Sequence, residues 1–284
     1  MERMIPRSLA PRADEAPRGH RSRSLVLALL GELLRAGRDG PLRGIALVDV
    51  LEHAGVAAPA ARAALDRFAL SGFLDRDRSG RHLVYGITPS ARSVLTEASR
   101  RVHAEHPFDA SGPGWTLVTF SIPEGQRGLR HQLRAALAWE GFAVLRDGLW
   151  IAPGRRDPET ALAPVRAELP LGGVLAFHAA EIDGFPVDVA LRSAWDFAAI
   201  RAEHERFIAR WSDPGAADGM PALAALTVLV SDWLELLRRD PRLPAGSLDP
   251  DWPAPCSLAA YRARRAEIAD AADAAMREGF PQPA

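Results

Sequence analysis

The chain has 284 residues, 48% of them hydrophobic and 25% charged, with a formal net charge of -1, an ordinary composition for a globular protein of two or three domains. Its single cysteine, Cys256, excludes an intramolecular disulfide framework and any paired-cysteine metal or redox motif. There is no lysine, and the arginines are uneven: residues 1–103 hold 17 against 11 acids, the remainder 18 against 25, so only the front of the chain is expected to meet a polyanion.

Residues 1–21 are rich in Pro, Arg and small residues, lack any apolar period, and read as a disordered basic arm. A first helix is expected from Ser22 or Ser24 as cap through "LVLALLGELLRA" to Gly37. A second, "IALVDVLEHA", ends at Gly55. The third opens at Pro59 and runs to Gly72, with Ala61, Leu65 and Phe68 as its apolar stripe and Arg62, Asp66 and Arg67 elsewhere. Two strands, Phe73 to Asp75 and His82 to Ile87, then flank a turn at Ser79-Gly80, and Thr88-Pro89 caps a fourth helix. Three helices and a hairpin are the order of a winged helix, here placed at residues 22–105. The third helix is expected in the major groove, with Arg76, Arg78 and Arg81 on the wing.

After a Pro/Gly linker, residues 114–184 change pattern. "WTLVTFSI" reads as a strand, and "GLRHQLRAALAWEG" as a helix with Leu129, Leu133 and Leu137 inward. "FAVL" and "GLWIAP" are strands, a helix runs from Asp157-Pro158 to Leu169, and "GVLAFHAAEI" is the last strand. The order β-α-β-β-α-β is ferredoxin-like. Residues 188–278 read as helical, with Ser193 capping "SAWDFAAIRAEHERFIARW", whose stripe is Trp195, Ala199 or Ile200, Phe207 and Trp211. The fold class is therefore α+β and multidomain. No early segment has the pattern of a signal peptide, and the apolar stretches are too short or interrupted to span a bilayer; the expected location is cytoplasmic, away from membranes.

"RSRSLVLALLGELL", "WTLVTFSIPEGQRGLRHQLRAALAWEGFAVLRDGLWIAPG" and "RRDPRLPAGSLDPDWP", in that order and spacing, resemble the PaaX family, bacterial transcriptional repressors of phenylacetate catabolism. The resemblance covers residues 21–276. It implies a homodimeric repressor of operator DNA with a winged helix, a ferredoxin-like middle domain and a helical C-terminal domain. It also implies an acyl-CoA effector such as phenylacetyl-CoA. The sequence departs from the family pattern at Ser231, where relatives often carry His, and at Leu234, where Arg is often found.

Arg62 and Arg67 are the candidates for base or phosphate contact from the third helix, Arg76, Arg78 and Arg81 for phosphate contact from the wing, and Arg21 and Arg23 for minor-groove contact from the arm. An acyl-CoA effector needs cations for its phosphates and an apolar slot. Arg127, Arg130 and Arg134, on one helix face, are candidates for the first, and Trp139, Trp150, Trp195 and Trp233 for the second. Catalysis is not expected. The middle domain is also similar to small ferredoxin-fold nucleases, but Ser121 stands where those carry a metal-binding Asp. His103 with His106, and His178 with Glu181, are too sparse for a metal site.

Overall fold

The computed structural model describes residues 18–169, 172–185 and 187–281, which form a mixed α+β protein with two small sheets. Its contacts divide into two compact units. One holds the described residues up to Arg100 together with Ala217–Ser231 and those from Arg265 onward; the other holds Arg101–Ala216 and Asp232–Arg264.

In the first unit, helix α1 spans Arg18–Arg35. It begins upstream of the expected caps: Ser22 lies buried within it at 4% exposure. Of the expected arm, residues 1–17 lie outside the described residues, and Arg18 to Arg21 are helical. Arg21 and Arg23 are therefore helix-borne, a correction to their reading as arm residues. Gly37, at φ +69°, ends the helix as expected, with its N–H on Leu34 O and that of Arg38 on Leu33 O.

A two-residue strand β1 (Leu42–Arg43) precedes α2 (Gly44–His53) and α3 (Ala58–Leu70). Pro59 stands in the first turn of α3, and Ala61, Ala64, Leu65 and Phe68 are its buried face. Strands β2 (Leu74–Ser79) and β3 (His82–Ile87) form a hairpin whose register closes at Ser79 opposite His82. The tip is thus Gly80-Arg81, one residue later than expected, with Gly80 at φ +60°. Strand β1 pairs with β3 to complete the sheet β1-β3-β2. Helix α4 (Pro89–Val102) follows, and Thr88 Oγ1 accepts the Ala91 N–H at 3.3 Å, the expected cap.

In the second unit a four-stranded sheet has the order β5-β6-β4-β7, from β4 (Trp115–Phe120), β5 (Ala143–Arg146), β6 (Leu149–Pro153) and β7 (Val174–Ala179). One face, with Val118, Trp150 and Ala152, packs under α5 (Arg127–Trp139) through Leu129, Leu133 and Leu137. The other face presents Trp115 and Ile151 to Leu191, Phe197, Leu243 and Trp252. The single helix expected from Pro158 to Leu169 is instead one α turn, α6 (Glu159–Leu162), followed by 3-10 turns to Glu168. Pro164 has no N–H to continue the α ladder.

Helices α7 (Asp188–Ala194) and α8 (Phe197–Trp211) split at Trp195, which is extended. Ser193 lies inside α7, so the expected cap is corrected to Asp196, whose carboxylate accepts the Ala199 N–H at 2.9 Å. Helices α9 (Ala222–Arg239) and α10 (Ala254–Gly279) each contribute residues to both units. In the first unit Arg265 of α10 reaches Glu32 of α1 at 2.7 Å, and Arg35 holds the same carboxylate at 3.0 Å.

Candidate nucleic-acid interface

Around the axis of α3, at about 100° per residue, the buried face centres near Ala61 and Phe68, and Leu70, 89% exposed, lies opposite it. Arg62 and Arg67 stand on either side of that outward face and are both exposed. Neither forms an ion pair among the described residues. Asp66, one helical turn after Arg62, is engaged elsewhere: Arg76 of β2 lies 3.5 Å from its Oδ1, and the Tyr85 hydroxyl donates to the same oxygen at 3.3 Å. Burial, then the Asp66 charge and hydrogen bond, raise the Tyr85 pKa. Asp66 thereby ties the hairpin to α3 and leaves Arg62 available.

Alternation sorts the hairpin charges. Leu74, Arg76 and Arg78 share one face of β2, while Asp75, Asp77 and Ser79 share the other. The side chains of Arg78 and of Arg81, at the tip, form no ion pair among the described residues. Of the two arginines now on α1, Arg21 is exposed, whereas Arg23 places its guanidinium 5.6 Å from the centroid of the Phe68 ring. Arg62, Arg67, Arg78, Arg81 and Arg21 are thus available to an anion, while Arg76 and Arg23 also serve the packing around α3.

The effector candidates disperse. Arg127 and Arg134 are exposed on α5, but Arg130 donates through Nη2 to the Ile122 carbonyl at 2.6 Å and clamps its own helix start. Trp150 is core. Trp233 is 0% exposed and stacks on Tyr261 with centroids 4.4 Å apart, so it presents no face to a ligand. Trp195 lines a cleft of about 580 Å³ with Arg192, Phe197, Arg201 and Trp252; Asp249 binds both of those arginines. Trp139 is 63% exposed, with the Arg238 guanidinium 5.1 Å from its ring centroid.

Sequence reading overlooked a buried polar network. His204 Nε2 lies 2.8 Å from Asp240 Oδ2, and its Nδ1 lies 2.9 Å from Ser257 Oγ. The signal was available: His204 occupies the stripe Phe197, Ile200, His204, Phe207, Trp211 at helical spacing. The three side chains suggest a hydrolase relay, but Ser257 and His204 are both 0% exposed and no substrate reaches them. The network fastens the middle of α8 to the end of α9 and the start of α10. Elsewhere, His178 Nδ1 meets Thr116 Oγ1, and Glu181 accepts from Trp115 Nε1. Among the described residues no three His, Cys, Asp or Glu side chains group to hold a metal ion, and no helix is long and apolar enough to cross a membrane.

Comparison with known proteins gives three family profiles in chain order. They are described as PaaX-like protein over residues 21–91, PaaX protein central Cas2-like domain over 110–185, and PaaX-like protein C-terminal domain over 195–278. The transcriptional repressor PaaX of Escherichia coli (strain K12) is 27% identical over 247 residues, covering 81% of this chain and 74% of that one. A solved structure, the uncharacterized protein Rv0674 from Mycobacterium tuberculosis, has 23% identity and a TM-score of 0.56, covers 89% of this chain and 97% of its own, and shares the fold. With its two sheets, its Cas2-like middle and three matched segments in one order, the chain belongs to the PaaX family.

Proposed function

We propose that this protein is a cytoplasmic DNA-binding transcriptional repressor, as its relative from Escherichia coli is named. In this reading α1 to β3 are a winged helix: α3 enters the major groove, and the β2–β3 hairpin lies along phosphates. The observation that carries it is the outward face of α3, flanked by Arg62 and Arg67, beside a hairpin bearing Arg78 and Arg81, none of the four with an acidic side-chain partner among the described residues. The order β5-β6-β4-β7 supports a ferredoxin-like middle domain.

Pairing of two copies is the second part of the proposal. Strand β7 is a sheet edge, and its Leu175 and Phe177, on the face shared with Trp115, are each 53% exposed. Ile182 and Phe185, farther along the chain, are more exposed still. An apolar, unpaired edge of this kind invites a second strand. A two-fold dimer reads an imperfect palindrome with half-sites about one helical turn apart, or multiples of it.

The effector in this reading is phenylacetyl-CoA or a related acyl-CoA, which must prefer the DNA-incompetent state to release the operator. Fluorescence anisotropy with the promoter beside its own gene, at two salt concentrations and with or without phenylacetyl-CoA, tests the whole. Tight, salt-sensitive binding lost on adding the thioester is the expected result. No binding at low salt overturns the repressor. Binding that ignores the thioester removes only the effector.

A further inference from the structure

Leu70 is 89% exposed, more than any other large apolar side chain among the described residues. It stands on the midline of the outward face of α3, and around the same helix axis Pro59 and Ala63 fall within about 20° of it. Pro59 is exposed and Ala63 half-buried. The charged residue nearest that line, Asp66, is about 40° away and is tied to the hairpin by Arg76 at 3.5 Å and the Tyr85 hydroxyl at 3.3 Å. Arg62 and Arg67 stand farther out, one on each side. The midline from Pro59 through Ala63 to Leu70 is therefore apolar and edged by cations.

A helix face kept in water is ordinarily polar. Helix α4 follows that rule: Ser90, Ser93, Thr96, Glu97 and Arg100 are exposed on it, with Val94 as its one large apolar exception. A single exposed apolar residue needs no explanation; an apolar row between two arginines, on the helix expected in the groove, does. That row has no donor or acceptor for a base edge. The apolar group that B-DNA displays in the major groove is the thymine 5-methyl, which apolar side chains contact. Ala63 and Leu70 lie about 10 Å apart along the axis, the rise of about three base pairs.

We propose that α3 selects its operator half-site through thymine 5-methyl groups met by Ala63 and Leu70, about three base pairs apart, with guanine contact confined to the flanking arginines. Such selection rests on the operator reading of α3 and adds the base chemistry which that reading leaves open.

The test is fluorescence anisotropy of the full chain with the promoter beside its own gene, prepared once with thymine and once with uracil in its place. The exchange removes every 5-methyl and leaves the hydrogen-bonding edges unchanged. One contacted methyl is worth about fourfold in affinity, so with two contacts wild type binds the uracil promoter roughly tenfold more weakly or worse. Leu70→Ala binds the thymine promoter about fourfold more weakly than wild type and shrinks the uracil penalty by the same factor. Its thermal midpoint stays unchanged, because the side chain is already in water. Ala63→Ser acts on binding in the same direction. Equal uracil penalties for wild type and both variants overturn the proposal. So does an equal penalty on a fragment of unrelated sequence, where phosphates dominate and methyls act through duplex stiffness. A midpoint lowered by Leu70→Ala makes the residue structural and overturns it too. Binding that ignores the exchange sinks this proposal alone, whereas no binding to the thymine promoter sinks the operator reading with it.

Discussion

Arg265 and Arg78 are the same side chain put to opposite uses. Arg265 is 16% exposed and meets Glu32, 3% exposed, at 2.7 Å; the Arg78 side chain stands on an exposed strand with no acidic partner among the described residues. The buried pair joins α10 to α1 and supports the helices behind α3. The exposed arginine adds nothing comparable to stability and keeps its charge for a ligand. Burial turns an arginine into a structural tie, and exposure without a carboxylate leaves it a contact for anions. Composition cannot distinguish the two.

The largest expected effect breaks the buried side of this contrast. Arg265→Ala leaves the Glu32 carboxylate buried with Arg35 alone and costs about 3–5 kcal/mol, read as a lowered denaturation midpoint with DNA affinity lost in parallel. The pH dependence of the same pair sharpens the point. Burial pushes the Glu32 pKa up, but the hydrogen bond and charge of Arg265, then those of Arg35, outweigh it and hold the carboxyl below its ordinary value of 4.5. A depressed carboxylate stabilises fully above that ordinary value and loses its contribution as pH falls through the lower, folded value. Thermal midpoints of wild type should therefore fall more steeply with acid, below about pH 4.5, than those of Glu32→Gln.

On the exposed side the effects are smaller and appear in binding. Arg62→Ala should cost about 1–3 kcal/mol and relax the preference at a single base pair, measured by anisotropy across operator variants. Arg78→Ala and Arg81→Ala should each weaken binding about equally for all sequences and reduce the logarithmic salt slope by about 1. An unchanged slope would remove the hairpin from the phosphate backbone. The smallest effect is expected for Arg127→Ala and Arg134→Ala, exposed on α5, which should leave stability within about 0.5 kcal/mol of wild type by denaturant titration.

Much of this organisation was legible in the residues. The buried stripes of α3 and α5, the Thr88 cap, Gly37 as a helix stop and the second hairpin strand, His82–Ile87, follow from local periodicity and backbone preference, which act over a few residues, whereas the first strand, expected over Phe73 to Asp75, runs on to Ser79 by pairing with the second. What escaped was non-local. Strand β1 is two residues long, too short for any period, and exists because it pairs with β3. The start of α8 moved from Ser193 to Asp196 because Trp195 is extended there. His204 was visible as a polar residue on an apolar stripe, but its partners lie 36 and 53 residues away.

The sequence by itself determined the α+β class, the family, the positions of the long helices and the basic character of the front. Those properties depend on residue type and spacing along one element. Only tertiary structure decided which arginines serve which purpose: that Asp66 is taken by Arg76 and Tyr85 and so spares Arg62, that Glu32 consumes Arg265, and that Asp240 turns to His204 while Arg242 Nε has no acceptor among the described residues. A guanidinium's role depends on the carboxylates that reach it and on how much water remains around it, and folding alone sets both.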